Sequence, residues 1–164
     1  MKINIFVENN YPGFEIDEVK FHDKVKQMFK YTVLLDEIKE KYCLKDKIFD
    51  TVVFDIVLCN DEEIHRINRE YRNIDRATDV ITFAIFADSP DDEKFIFDGE
   101  INLGEIIISL DTIKKQAEEN KTTFDNELRL ISAHGILHLL GFDHLNEDDY
   151  NFVVRTQNKV ISNV

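Results

Sequence analysis

The sequence predicts an α+β fold, with a small mixed sheet of about four strands and several helices in a single domain spanning residues 1–164. Short runs rich in β-branched and aromatic residues alternate with longer runs whose apolar residues recur about every 3.6 positions. A length of 164 residues suits one hydrophobic core. The chain has no internal repeats, low-complexity tracts or linkers, so nothing divides it into separate units.

The first half of the chain reads as strand, helix, strand and helix. Residues 2–8, KINIFVE, have strand composition, and residues 17–42 carry apolar side chains at helical spacing, with a break predicted near residues 31–33. Residues 49–58 form the second predicted strand. Asn60 then supplies a helix N-cap with an acid three residues later, and this helix is predicted to end near Arg72.

The second half repeats this alternation with longer helices. Strands are predicted at residues 80–86 and 103–108, and helices at 109–120, at 122–140 with Thr122 or Thr123 as the cap, and at 148–161 with Tyr150 facing inward. The acidic segment 88–100 contains a proline and a glycine, which is typical of an exposed hairpin or flexible loop.

Charge and composition limit the classes of function. The net charge of −13 is unusual for a nucleic-acid-binding protein, because phosphate binding normally leaves a basic footprint. Four of the six arginines nevertheless fall between Arg66 and Arg76, a local basic excess. No apolar run is long enough to span a membrane, and the N-terminus turns polar too early for a secretory signal, so we expect a cytoplasmic protein.

Three histidines between residues 134 and 144 have the spacing of a metal site. His134 and His138 lie four residues apart on a predicted helix and therefore share one face. Gly141 can end that helix and turn the chain, which would return His144 to the same ion. Three imidazole ligands with an open fourth position are typical of catalytic Zn²⁺. The alternative is that these histidines are ordinary core or surface residues.

The glycine after the first histidine distinguishes this segment from a protease. The spacing H-x-x-x-H-x-x-G-x-x-H is that of the zinc helix of the metzincin metalloproteases, in which a glutamate follows the first histidine and acts as the general base. Gly135 occupies that position here. The sequence therefore predicts a hydrolytic zinc site that lacks the proton acceptor of a peptidase.

Three segments together resemble one known family. Residues 134–144, HGILHLLGFDH, resemble the H-G-x-L-H-L-x-G-Y/F-D-H signature of the YbeY family of bacterial endoribonucleases, which mature ribosomal RNA. Residues 68–83, NREYRNIDRATDVITF, resemble its N-x-x-Y-R-x-x-D-x-x-T-D/N-V-L-S/T-F segment, and residues 103–106, LGEI, resemble its L-G-D/E-I strand. Ala77 and Ala84 stand where the family commonly has proline, a change that concerns loop rigidity.

The resemblance implies a Zn²⁺-dependent endoribonuclease that prefers single-stranded RNA and acts in ribosomal RNA maturation and ribosome quality control. It implies His134, His138 and His144 as the ligands of one Zn²⁺ and Arg72 as a catalytic residue. It also implies the ribosome or its proteins as partners, and neither DNA nor membranes. From residue type alone, the favoured interpretation of Arg72 is structural: it would cap its own helix or pair with Asp75 or Asp79.

Two other functions share the same histidines. A zinc metalloprotease would use the same metal helix, but Gly135 argues against it. A non-catalytic ribosome assembly factor, stabilised by a structural metal, would need a fourth protein ligand at the ion.

Overall fold

The computed structural model describes all 164 residues and contains one four-stranded sheet with seven α-helices around it. The strands are β1 (Lys2–Asn9), β2 (Thr51–Cys59), β3 (Val80–Phe83) and β4 (Glu100–Ser109). The helices are α1 (Glu18–Leu34), α2 (Asp36–Lys39), α3 (Asp61–Arg72), α4 (Ile85–Asp88), α5 (Leu110–Glu119), α6 (Phe124–Leu139) and α7 (Glu147–Asn163). The predicted α+β class, with a mixed sheet of four strands, is confirmed.

The sheet has the order β1-β2-β4-β3, in which β1, β2 and β4 are parallel and β3 runs antiparallel to β4. Every second residue of β2 is fully buried on one face: Val52, Phe54, Ile56 and Leu58. These side chains join residues of α1 and α6 in a single large core. Parallel strands need a crossover connection between them, which explains why helices follow β1 and β2 along the chain.

Gly104 allows β3 and β4 to approach closely. Its φ of +125° is disfavoured for other residues, and a Cβ there would lie 1.9 Å from the carbonyl oxygen of Phe83. The register between β2 and β4 also shifts at this point, between Val53 and Phe54. Glycine in the LGEI segment is therefore a requirement of the backbone.

Several predicted boundaries differ from the structure. The first long helix continues through residues 31–33 and ends at Leu34, because Leu35 adopts an extended conformation before the short α2. The third strand stops at Phe83 instead of residue 86, since Ala84 leaves the strand conformation and α4 begins at the next residue. The segment after α4 contains a 3₁₀ turn and a single β-bridge.

The C-terminal helix α7 buries a narrower face than the sequence suggested. Val153, Thr156 and Val160 are buried at helical spacing, whereas Tyr150 in the first turns is 54% exposed. The prediction of an inward-facing Tyr150 is therefore wrong. Its ring lies beside that of His144 instead, with 6.2 Å between the ring centroids. None of the helices has the length and apolar content that crossing a bilayer requires.

Candidate metal centre

Helix α6 places two histidines of the predicted site in direct contact. Thr123 caps this helix by accepting a hydrogen bond from the backbone N–H of Asn126 at 3.1 Å. His134 and His138 follow one turn apart near its C-terminal end, and their Nε2 atoms lie 2.8 Å from each other. Both rings are half-buried, so the protein fixes their orientation.

The turn after α6 brings the third histidine to the first two. Gly141 has φ of +98°, and its N–H bonds the carbonyl of His138 at 3.0 Å, a left-handed helix end that reverses the chain. The ring centroid of His144 then lies 5.5 Å from that of His134 and 5.1 Å from that of His138. One ring nitrogen from each histidine falls within 4.8 Å of the other two. The predicted convergence is present.

Gln157 on α7 determines which nitrogen of His134 is free. Its side-chain oxygen Oε1 lies 2.9 Å from His134 Nδ1. An amide oxygen only accepts hydrogen bonds, so the Nδ1 of His134 carries the proton and its Nε2 keeps a lone pair facing His138. This contact could not be predicted from the sequence, because Gln157 lies on a separate helix and has no motif spacing relative to the histidines.

Asp143 contacts the opposite side of the cluster. Its Oδ1 accepts a hydrogen bond from the backbone N–H of His144 at 2.8 Å and lies 3.9 Å from His138 Nδ1. One carboxylate thus holds the turn and faces the outer nitrogen of a second histidine. This position is compatible both with orienting His138 and with capping the turn that carries His144.

The histidines are held in the form that binds metals. Burial, followed by the proximity of His134 and His144, lowers the pKa of His138 to about 4, and burial also lowers the pKa of His134. Both rings are therefore neutral at pH 7. The Nε2 atoms of His134 and His138 lie 2.8 Å apart, a separation that is stable when a proton or a metal cation lies between them. Three imidazoles in this arrangement fit a divalent transition metal such as Zn²⁺.

Packing explains the glycine that departs from the protease motif. A Cβ on Gly135 would lie 2.8 Å from Cγ2 and 2.9 Å from Cδ1 of Ile106, a fully buried residue of β4. α6 therefore packs on the sheet at a distance that only glycine permits at this position. A glutamate side chain at residue 135 has no space in this core.

The arginine cluster is partly neutralised by its neighbours. Arg66 bonds Glu63 and Glu70, and Arg69 lies 3.9 Å from Asp75. Arg72, the last residue of α3, is exposed, and its side chain forms no hydrogen bond or ion pair with the protein. Its positive charge lies close enough to His138 to lower the pKa of that ring. This effect is smaller than those of burial and of the other two histidines.

Neither of the structural roles considered for Arg72 is found. The end of α3 is capped by Asn73, whose left-handed backbone donates its N–H to the carbonyl of Asn68. Asp75 instead bonds His65 Nε2 at 2.7 Å, so His65 has a partner that its sequence position did not suggest. Asp79 bonds the backbone N–H of Val80 at 2.7 Å. The guanidinium of Arg72 is left free near the histidines.

Comparison with known proteins covers nearly the whole chain. The family model described as Endoribonuclease YbeY matches residues 6–164. The chain belongs to the YbeY family. The match therefore includes residues 6–67, which precede the three segments that resemble the family. Close packing at Gly135 and the backbone conformation of Gly104 explain why glycine stands at these two positions of the segments that resemble YbeY.

Individual relatives agree with the family match. The chain is 44% identical over 119 residues to the Endoribonuclease YbeY of Staphylococcus carnosus, covering 73% of this chain and 76% of that one. It is 37% identical over 155 residues to that of Heliobacterium modesticaldum, covering 90% and 92%. A Thermotoga maritima protein solved in solution matches the fold with a TM-score of 0.57 and 26% identity, over 98% of this chain and 87% of that one.

Proposed function

We propose that the protein is a zinc-dependent endoribonuclease that cleaves single-stranded RNA during ribosomal RNA maturation and ribosome quality control in the cytoplasm, with residues 1–164 as one hydrolase domain. Its relatives carry the name Endoribonuclease YbeY. The observation that carries the proposal is the cluster of three imidazole nitrogens within 4.8 Å of one another, with the exposed side chain of Arg72 near enough for its charge to lower the pKa of His138. Ribosomal RNA is the proposed substrate, and the ribosome or its proteins are the proposed partners.

His134, His138 and His144 would hold the ion. Bound Zn²⁺ would supply Lewis-acid polarisation of a phosphoryl oxygen. The protein's own contribution is to keep two of these rings neutral by burial and to direct the Nε2 of His134 inward through Gln157. The metal centre therefore needs little reorganisation when it is loaded.

Arg72 would bind the phosphate at which cleavage occurs. A guanidinium presents two parallel N–H donors that match two phosphate oxygens, which lysine does not do. Donors placed where negative charge accumulates stabilise the transition state more than the ground state. Arg66 is already paired with two glutamates, so it contributes less charge to a bound RNA than Arg72 does.

The acidic charge of the protein shapes how RNA would bind. At a net charge of −13, long-range attraction of a polyanion is unfavourable. Binding would then rest on short-range contacts at the metal centre and at Arg72. This favours a flexible single strand, whose phosphates can enter the site one at a time, over a rigid duplex with its higher charge density.

The two alternative functions lack specific support. A protease would need a base after His134, whereas residue 135 is glycine and a larger side chain there would clash with Ile106. An assembly factor with a structural metal would need a fourth protein ligand, whereas the group contains three histidines. An open coordination position supports catalysis.

The test compares metal content and RNA cleavage in four proteins purified without an affinity tag. His138→Ala should lose bound zinc and cleavage together. Arg72→Glu should keep zinc and lose about 10²- to 10³-fold in the rate of single-stranded RNA cleavage. Arg69→Glu makes the same change of charge in the same helix and should retain most activity. If zinc-loaded wild type never cleaves faster than His138→Ala and Arg72→Glu, the proposal is wrong.

A further inference from the structure

A cavity lies at the other end of helix α6 from the histidines. It has a volume of about 560 Å³ and lies between the start of α1, helix α5 and the start of α6. Its apolar wall consists of Phe14, Ile16, Phe21, Phe124 and Leu128. His134 follows Phe124 by ten residues, or about 15 Å along the helix axis. The lining includes neither the three histidines nor Arg72, so this cavity is separate from the metal centre.

The rim of the cavity carries cations without partners. Lys20 and Lys114 form no ion pair, and the Nζ of Lys24 contacts only Gln27, at 3.5 Å. Lys114 Nζ also lies 5.8 Å from the ring centroid of Phe14, which holds its charge beside the apolar wall. In a chain with a net charge of −13, three free ammonium groups around one apolar cavity are a local exception.

Acidic residues only partly offset these charges. The rim also includes Glu15, Asp17 and Asp125. The carboxylate of Asp17 is occupied as the N-cap of α1, where it accepts a hydrogen bond from the backbone N–H of Lys20 at 3.0 Å. Arg129 adds a fourth cation to the lining. Its Nη2 donates to two carbonyls at the end of the chain, while its buried Nε has no acceptor.

Two long helices also begin at this cavity. Helix α1 starts at Glu18 and α6 at Phe124, so residues from the first turns of both helices line the cavity. The start of α1 is already capped by the carboxylate of Asp17 and that of α6 by Thr123, so neither helix end is left to attract a further anion. The preference for a negatively charged ligand therefore comes from Lys20, Lys24 and Lys114 on the rim.

We propose that this cavity binds a small amphiphilic anion, a molecule with an apolar body and one negatively charged group. The apolar body would contact Phe14, Phe124 and Leu128, and the anionic group would lie near Lys24 and Lys114. The volume falls within the range of about 300–1,000 Å³ that is usual for sites of small organic ligands. The site is independent of the metal centre and of RNA cleavage.

The first experiment measures binding of the fluorescent anion 8-anilinonaphthalene-1-sulfonate to the full-length protein. One site is expected, with an affinity at least several-fold higher than that of N-phenyl-1-naphthylamine, the same molecule without the sulfonate. Lys114→Glu should weaken binding of the sulfonate about tenfold. Lys115→Glu is the matched control, because the neighbouring lysine is exposed and lies outside the cavity.

The location is checked by amide chemical shifts, which should change at residues 14, 124 and 128 on addition of the sulfonate and also report that each variant is folded. Decanoate and uridine monophosphate are then tested as competitors, which distinguishes a fatty-acid-like ligand from a nucleotide. Displacement by either supports the proposal. The proposal is overturned if both lysine variants weaken binding equally or if the neutral probe binds as tightly as the sulfonate. It is also overturned if the chemical shifts change only in other regions, or if neither competitor displaces the sulfonate.

Discussion

Replacing Gln157 tests whether a residue outside the histidine motif controls the metal centre. In Gln157→Leu, the 2.9 Å contact to His134 Nδ1 is lost and a half-buried ring nitrogen is left without a partner. Such a loss costs about 1–3 kcal/mol, and each 1.4 kcal/mol is tenfold in an equilibrium constant. His134 can then move its proton to Nε2, the nitrogen that faces the metal position. We expect zinc affinity to fall about 10- to 100-fold.

The assay is competition for Zn²⁺ with a chromophoric chelator at pH 7, combined with ¹⁵N shifts that report the tautomer of His134 in metal-free protein. Gln157→Glu should retain both affinity and tautomer, because a carboxylate also accepts a hydrogen bond. Asn158→Leu, at the exposed next position of α7, controls for the added apolar side chain. If Gln157→Leu binds zinc as tightly as Asn158→Leu, or keeps the Nδ1–H tautomer, the reasoning is refuted. Failure of the wild type to bind zinc would instead refute the metal centre.

Three further predictions concern stability. Gly135→Ala should lower the free energy of unfolding by about 1–3 kcal/mol in urea titrations, since overpacking against Ile106 outweighs the gain of about 1 kcal/mol in helix propensity. The loss caused by Gly135→Ala should shrink in an Ile106→Ala background, in which the contacting side-chain atoms are removed. Gly104→Ala should cost more, because its Cβ would overlap the carbonyl of Phe83 at a positive φ; a melting temperature equal to wild type would contradict this. In metal-free protein the pKa of His138 lies at about 4 instead of 6.5. The free energy of unfolding is therefore highest above pH 6.5, where the ring is neutral in both states. It decreases as the pH falls towards 4, because the unfolded chain takes up this proton first. The decrease in the free energy of unfolding should reach about 2–3 kcal/mol. In His138→Gln, the free energy of unfolding measured between these pH values should depend less on pH.

The parts of the molecule that follow from local patterns were predictable. The first strand, the helix from its Asn60 cap to Arg72 and the long metal helix are confirmed, because cap residues and apolar periodicity act over a few residues. The convergence of His134, His138 and His144 was predictable for the same reason. Two share a helix face, and Gly141 determines the turn that returns the third.

Features that depend on distant contacts were not predictable. Gln157 reaches His134 only because α7 packs beside α6, and the sequence contains no sign of that pairing. The sequence shows that Gly135 offers no base, but the reason for glycine at this position is the close approach of Ile106 from β4. The end of β3 at Phe83 was missed for a similar reason, since residues 84–86 are as apolar as a strand but begin a helix.

The strand order affects how the chain folds while it is being synthesised. Lys2 pairs with Thr51, and Thr51 with Glu100, so each parallel contact joins residues far apart along the chain. At translation speeds of about 5–20 residues per second, β2 is synthesised roughly 2–10 s after β1, and β4 follows β2 after a similar interval. During that interval the apolar side chains of β2 remain available to other nascent chains. We therefore expect fragments that stop before residue 100 to aggregate, and refolding of the full chain to be slow compared with helical proteins of this size.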